Sequence, residues 1–365
     1  CFINFITGSK PSHYKKLGHA GIFRSSIPFS VEDFYKNHLE EGKVGSFFMH
    51  KIIIDCDPGI DDAMALAYAA SRPDAFKILA VTTVAGNQEL QKVTANALDL
   101  TAFYGLDTEV AAGMSQPLIN KLAPATDYHG ENGLGNCVLP GSEKQAVEEM
   151  AVFYIRRKLM ELPENEKATL VCTAPLTNIA MLLKLFPEVK SRICEIIFMG
   201  GSASGGNVTA SAEFNIYTDP EAAKIVFGSG VPLVMCGLDV TEKCVLTASQ
   251  IAKLAQSGNK IAHFCGEMGA YSLDHGNKYK RVVSIHDAVP FMYLTHPEIF
   301  EAEKAVLDVE CSDCASRGRT ICDFRWWREE ELESDNLVLM RADSTEFQKY
   351  LIEGLYELGE MVKGN

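Results

Sequence analysis

The sequence predicts one large α/β domain, an open and mostly parallel β-sheet of Rossmann-like type with helices on both faces. Three observations carry this expectation. Short β-rich runs alternate with longer helical patterns along most of the chain. The strand runs are apolar throughout, as strands buried on both faces of a parallel sheet must be. Polar residues then recur just past the strand ends, at Asp55 and Asp57, Asn87, Thr173 and Asp239, where open parallel sheets bind their ligands.

Taken in order, Lys51–Cys56 reads as a buried first strand, and Asp61–Ser71 as a helix with Ala and Leu at helical spacing. A strand at Ile78–Val84 leads into a helix over Leu90–Tyr104. The same alternation gives a strand at Thr169–Cys172, a helix at Leu176–Phe186, a strand at Glu195–Met199 ending in Gly200-Gly201, a helix at Pro220–Phe227 and a strand at Pro232–Cys236. It is unbroken enough to suggest a single domain from 49 to 365. Residues 1–48 lack sustained periodicity, apart from a possible short helix over Val31–Glu41. Met49, just before the first strand, would make a natural start, so this segment is read as an extension that contributes nothing to the fold.

Composition excludes several functions. The 365 residues are 47% hydrophobic and 22% charged, with a mean hydropathy of +0.00, which describes an ordinary globular protein. A formal charge of −14 and a pI near 5.2 argue against nucleic acid as a partner, because a surface that tracks phosphates needs a basic stripe. No apolar run reaches the ~18 residues of a membrane span. The N-terminus lacks the order of a secretory signal, and Glu32, Asp33, Glu40 and Glu41 break the acid-poor pattern of a transit peptide. The cytoplasm is the expected location. The eleven cysteines are odd in number and scattered, as expected of reduced thiols. Cys311 and Cys314 form a C-x-x-C with Cys322 nearby, but no fourth Cys or His follows to complete a zinc site.

The chemistry concentrates in Asp55-Cys56-Asp57-Pro58-Gly59-Ile60-Asp61-Asp62, where four carboxylates fall within eight residues. Such a group repels itself unless a cation compensates. The Pro58-Gly59 turn lets Asp57 at the strand end and Asp61 and Asp62 at the helix start face one space. Their hard oxygens suit Ca²⁺ or Mg²⁺ rather than zinc. Helix capping and the macrodipole favour one or two acids in a first turn, but not all four. Two further stretches are weaker alone. His286-Asp287 follows Val282-Val283-Ser284-Ile285, though a histidine is more often a packed residue. Gly205-Gly206-Asn207 through Glu213-Phe214-Asn215 could grip sugar hydroxyls or be simply a turn-rich loop.

Together these pieces resemble the inosine-uridine-preferring nucleoside hydrolase family, most clearly from Lys51 to Tyr293. The motif D-x-D-P-G-x-D-D after a first strand carries most of the likeness. Thr82-Thr83-Val84-Ala85-Gly86-Asn87, His129-Gly130-Glu131-Asn132-Gly133, Leu176-Thr177-Asn178-Ile179-Ala180, Met199-Gly200-Gly201, Ala212-Glu213-Phe214-Asn215, Asp219-Pro220-Glu221-Ala222 and His286-Asp287-Ala288 follow in the expected order.

The resemblance implies hydrolysis of the N-glycosidic bond of ribonucleosides to ribose and free base, with one Ca²⁺ per subunit. Asp57, Asp62, the carbonyl of Thr173 and Asp287 would hold the ion, and Asp57 would double as the base toward a Ca²⁺-bound water. Asp61, Asn87, Met199, Asn207, Glu213 and Asn215 would surround the ribose, with Asp55 structural. His286 would protonate or polarise the leaving base. His129 and Phe214 would lie on the base side, and Tyr271 and His275, four apart within the segment 269–280, could share a helical face toward it. Broad purine and pyrimidine acceptance is expected, with a pyrimidine-restricted enzyme as the alternative. The partner is a small, uncharged nucleoside, and the assembly a homodimer or homotetramer serving nucleoside salvage.

Two rivals make distinct demands. A haloacid-dehalogenase-type phosphatase also starts with D-x-D, but carries Thr or Val where Gly59 stands. A non-catalytic nucleoside- or sugar-binding protein on the same scaffold would be expected to have lost a metal or catalytic position, and every mapped position is filled. Arg317-Gly318-Arg319-Thr320 with Asp323 takes no catalytic role, and Trp326-Trp327 are read as core or a subunit contact.

Overall fold

A computed structural model describes residues 49–275, 281–325 and 334–364. The helix expected over Val31–Glu41, the far end of the 269–280 segment and Trp326-Trp327 lie outside the described residues.

Twelve strands are described. In chain order they are β1 (His50–Cys56), β2 (Phe76–Thr83), β3 (Val110–Ala112), β4 (Ala168–Cys172), β5 (Ile193–Met199), β6 (Leu233–Cys236), β7 (Val245–Thr247), β8 (Val282–Ser284), β9 (Phe300–Lys304), β10 (Val306–Val309), β11 (Thr320–Asp323) and β12 (Leu337–Ala342). Eight of them form the central sheet in the order β3-β2-β1-β4-β5-β6-β12-β9. All neighbours are parallel except the edge pair β12 and β9. The other four form two antiparallel pairs, β7 with β8, which two helices separate in sequence, and β10 with β11.

This order places the topological switch between β1 and β4. The chain winds outward through β2 and β3, returns across β1, and winds the other way through β4, β5 and β6. Loops leaving β1 and β4 diverge to opposite faces and open a crevice at their carboxyl ends. The register Asp55↔Cys172 and the bond from Thr173 N–H to the Asp55 carbonyl (2.9 Å) set Asp57 and Thr173 side by side at that crevice.

The first strand is apolar on both faces because both are covered. One face packs under the helices Ile60–Ala70, Lys260–His275, Ala288–Thr295 and Ser344–Met361, the other under Ala151–Met160, Thr177–Leu185 and Pro220–Phe227. Ile60–Ala70 is buried along its whole length, since the helices Lys260–His275, Ala288–Thr295 and Ser344–Met361 pack against it. Its Ala-rich sequence favours the helix and permits that close packing. Asp62 closes the first turn by accepting from the Gly59 N–H at 3.0 Å. The predicted elements appear with ends shifted by a residue or two. In the part of the chain that alternates poorly in sequence, β9 and β12 form the antiparallel edge and β10 and β11 a second antiparallel pair.

Candidate active site

The carboxyl ends of β1, β4 and β5 carry the acids and amides, and their loops bring the rest. A cavity of about 390 Å³ opens there, within the range of small-ligand sites. Its floor is made by Asp61, Asn87, Thr173 and Asp287, and one flank by Met199, Asn207, Glu213, Phe214 and Asn215. The opposite wall is His129, Tyr128, Ser272, Val282, Ser284 and His286.

Asp57 and Asp62 lie directly beneath this lining, almost completely buried. Asn87 donates its backbone N–H to Asp57 Oδ2 at 2.6 Å and its side-chain amide to Asp62 Oδ2 at 3.2 Å. Thr173 Oγ1 donates to Asp62 Oδ1 at 2.7 Å. Gly86 is required here, because a Cβ on it would fall 2.1 Å from Asp57 Oδ2. Asp287 arrives from the far end of the chain on the helix Ala288–Thr295, which packs against Ile60–Ala70.

One carboxylate oxygen each from Asp61, Asp62 and Asp287 lies within 4.8 Å of the others. Burial pushes the carboxyls of Asp57, Asp61, Asp62 and Asp287 upward, and mutual repulsion adds to it at Asp57, Asp61 and Asp287. Asp57 Oδ1 is buried and has no hydrogen-bond partner among the described residues. A hard divalent cation answers both facts: it would restore the charged forms and engage the orphaned oxygen. The donor set, all carboxylate and carbonyl oxygen, fits Ca²⁺ or Mg²⁺ and not zinc. The tight triad thus includes Asp61, expected on the ribose, and does not include Asp57, expected as a ligand.

Asp55 ties the sheet together as expected. Its Oδ1 accepts from Thr82 Oγ1 at 2.6 Å and Asn178 Nδ2 at 2.8 Å, and burial raises its carboxyl to about 6. Glu213 caps the helix Phe214–Thr218, accepting from the N–H groups of Gly201, Asn215 and Ile216. Asn215 donates to the carbonyls of Thr173 (3.1 Å) and Met199 (3.2 Å), joining the ends of β4 and β5. Asn207 is exposed at the rim and accepts from the Phe214 N–H. Asp239, a strand-end candidate, does not reach this cavity. It holds the Ser202–Ser204 turn, accepting from Ala203 N–H at 2.7 Å.

On the opposite wall, His129 Nδ1 accepts the Ile60 N–H at 3.1 Å. Its proton therefore resides on Nε2, and burial, with His286 nearby, lowers its pKa to about 3. His129 is a neutral donor, and Gly59 makes room for it: a Cβ there would fall 2.5 Å from the ring. Tyr271 and His275 are not part of the lining. Their rings stack on each other at 3.9 Å, and Tyr271 packs on the loop at Gly130–Gly135. Ser272, the next residue on the helix Lys260–His275, faces the cavity instead with Tyr128, its Oγ donating to the phenol at 3.4 Å. Sequence reasoning missed both, although Tyr128 adjoins a residue already singled out.

Outside the site, the ten described cysteines are free, and among the described residues Cys311, Cys314 and Cys322 form no metal-binding group. Arg317 clamps the β10–β11 pair by a two-pronged ion pair to Glu221 (2.7 and 2.8 Å). Among the described residues, no helix is long and apolar enough to cross a membrane.

A doubly wound sheet with a buried, cation-demanding acid cluster under a cavity of this size defines a metal-competent α/β enzyme acting on a small polar ligand. A family model described as inosine-uridine preferring nucleoside hydrolase matches residues 52–349. The chain belongs to that family and is a nucleoside hydrolase by class. It is 36% identical over 313 residues to the inosine-uridine preferring nucleoside hydrolase of Crithidia fasciculata, covering 85% of this chain and 98% of the relative. It is 40% identical over 275 residues to the pyrimidine-specific ribonucleoside hydrolase RihB of Escherichia coli O9:H4 (strain HS), covering 75% and 87%. A solved purine-preferring ribonucleoside hydrolase from Gardnerella vaginalis superposes with a TM-score of 0.79 at 29% identity, covering 85% of this chain and 99% of that one.

Proposed function

We propose that the protein cleaves the N-ribosidic bond of ribonucleosides with water, using one Ca²⁺ held by Asp57, Asp62, Asp287 and the Thr173 carbonyl. The observation that carries this is the convergence of Asp61, Asp62 and Asp287 within 4.8 Å of one another, with the buried Asp57 carboxyl close enough to repel Asp287. When bound, the ion would grip the sugar diol and acidify a water molecule.

The chain's own residues supply the rest. Bond breaking builds positive charge on the sugar and negative charge on the base. The buried carboxylates and the amides of Asn87 and Asn215 present fixed negative charge and dipoles to the sugar side. Asp57 accepts the proton of the attacking water, and Asp61 takes up a ribose hydroxyl. On the far wall, His286 protonates or polarises the leaving base, and His129, locked as a neutral donor, hydrogen-bonds there. Phe214 supplies apolar surface between the two.

Broad purine and pyrimidine acceptance belongs to the same proposal. It is supported by comparable likeness to relatives whose names state pyrimidine specificity and inosine-uridine preference. A cytoplasmic salvage role and assembly as a homodimer or homotetramer complete the proposal. Release of reducing sugar from inosine, adenosine, uridine and cytidine tests it. Turnover of both base classes is expected; uridine and cytidine alone would restrict it to pyrimidines, and no release from any would refute it.

A further inference from the structure

His286 is held from two sides. Its backbone N–H reaches the Asp61 carboxylate, and its ring Nδ1 lies 2.8 Å from Thr241 Oγ1. Thr241 comes from elsewhere in the fold. It ends the short helix Leu238–Thr241 that leaves β6 of the central sheet, whereas His286 follows β8 of the small two-stranded sheet. This contact joins the small sheet to the central one at the point where the base-side wall is built.

The polarity of the contact follows from satisfaction of the hydroxyl. Thr241 is completely buried, so its hydroxyl proton needs an acceptor. Its own backbone N–H is spent on the Gly237 carbonyl at 3.0 Å, and among the described residues the only partner of its side-chain oxygen is His286 Nδ1. A threonine hydroxyl donates one proton, and a neutral imidazole accepts on one nitrogen. The hydroxyl therefore donates to Nδ1, which leaves the ring proton on Nε2. His286 lines the cavity and Thr241 does not.

We propose that Thr241 is a positioning residue for leaving-group departure: its hydroxyl fixes the orientation and tautomer of His286, so that Nε2–H is the edge offered to the base, which it polarises by hydrogen bonding while the proton stays on the ring. The same device recurs across the cavity, where the Ile60 N–H fixes His129 in the same tautomer. There the donor is a backbone amide, which an ordinary side-chain substitution leaves in place. At His286 it is a side chain, which makes the claim testable.

The proposal rests on His286 acting on the leaving base, and the test separates the two. Thr241→Val keeps shape and burial but removes the donor, whereas Thr241→Ser keeps the donor. Both are compared with His286→Ala on inosine or uridine, whose bases leave poorly, and on p-nitrophenyl riboside, whose phenolate leaves unaided. Thr241→Val is expected to lower kcat on the nucleosides about tenfold or more, to leave KM and the p-nitrophenyl riboside rate within about threefold, and to add nothing to His286→Ala. Thr241→Ser is expected to restore most of the nucleoside rate. Equal losses on both substrates, no loss at all, or no rescue by Ser with an unchanged melting temperature would overturn the role of Thr241. If His286→Ala itself falls equally on both substrates, the underlying reading of His286 fails instead.

Discussion

The two walls of the cavity are built on opposite principles. The acidic floor comes from residues at the ends of adjacent parallel strands and the first turn of one buried helix, joined by Asp287, and Asn87, Thr173, Gly59 and the His286 N–H supply supporting bonds. The base-side wall is assembled from a four-residue helix at Thr126–His129, the surface of Lys260–His275 and a small two-stranded sheet beside the central one. On the proposed reading, rigid, in-register strands hold the sugar, whereas irregular elements, more tolerant of change, receive the part of the substrate that differs between nucleosides. The floor should therefore be intolerant of substitution for every substrate, and the wall selective among them.

The largest effect is expected at the floor. Asp57→Ala should lower kcat/KM roughly 10³-fold for purine and pyrimidine nucleosides alike, with an unchanged circular dichroism spectrum; a loss confined to one base class would break the contrast. Exhaustive chelation should abolish turnover of all nucleosides, and added calcium should restore it. On the wall, His286→Ala should cost about 10²-fold on inosine and only a few-fold on p-nitrophenyl riboside in steady-state assays. Tyr128→Phe or Ser272→Ala should change the ratio of kcat/KM for uridine over inosine by a few-fold and leave p-nitrophenyl riboside hydrolysis near the parent rate. Uniform losses on all three substrates would place these residues with the floor.

A buried acid outside both regions sharpens the comparison. Burial raises the carboxyl of Glu195, inside β5, to about 7. A folded pKa above the unfolded value means that its full stability is present below the ordinary glutamate range. That stability is lost as pH rises through about 7. Glu195→Gln should therefore be near neutral at pH 4.5 and stabilise by about 2 kcal/mol at pH 8, read from melting curves. A constant difference across that range would show that burial alone does not set this group.

How much was legible follows the same division. The floor was legible because D-x-D-P-G-x-D-D packs its acids into one strand-turn-helix unit, and because strand-end positions converge in a parallel sheet. The switch between β1 and β4 explains why Thr173 belongs with Asp57 although the two are far apart in sequence. The wall was not legible to that degree. Helical spacing put Tyr271 and His275 on one face, but that face stacks on itself and on the 130–135 loop. Ser272, one residue on and turned toward the cavity, had nothing polar enough in its surroundings to mark it. Asp239 shows the limit of the strand-end rule: β6 lies two strands away from the switch, so its carboxylate serves a neighbouring turn.

The central claim is that Asp57, Asp62 and Asp287 share a single hard cation. An anomalous difference map from crystals of this protein grown with calcium tests it most directly. One peak is expected between these three carboxylates, within bonding reach of the Thr173 carbonyl and absent from Asp62→Asn crystals. A map with no ion between them, in protein that still hydrolyses inosine or uridine, would contradict it.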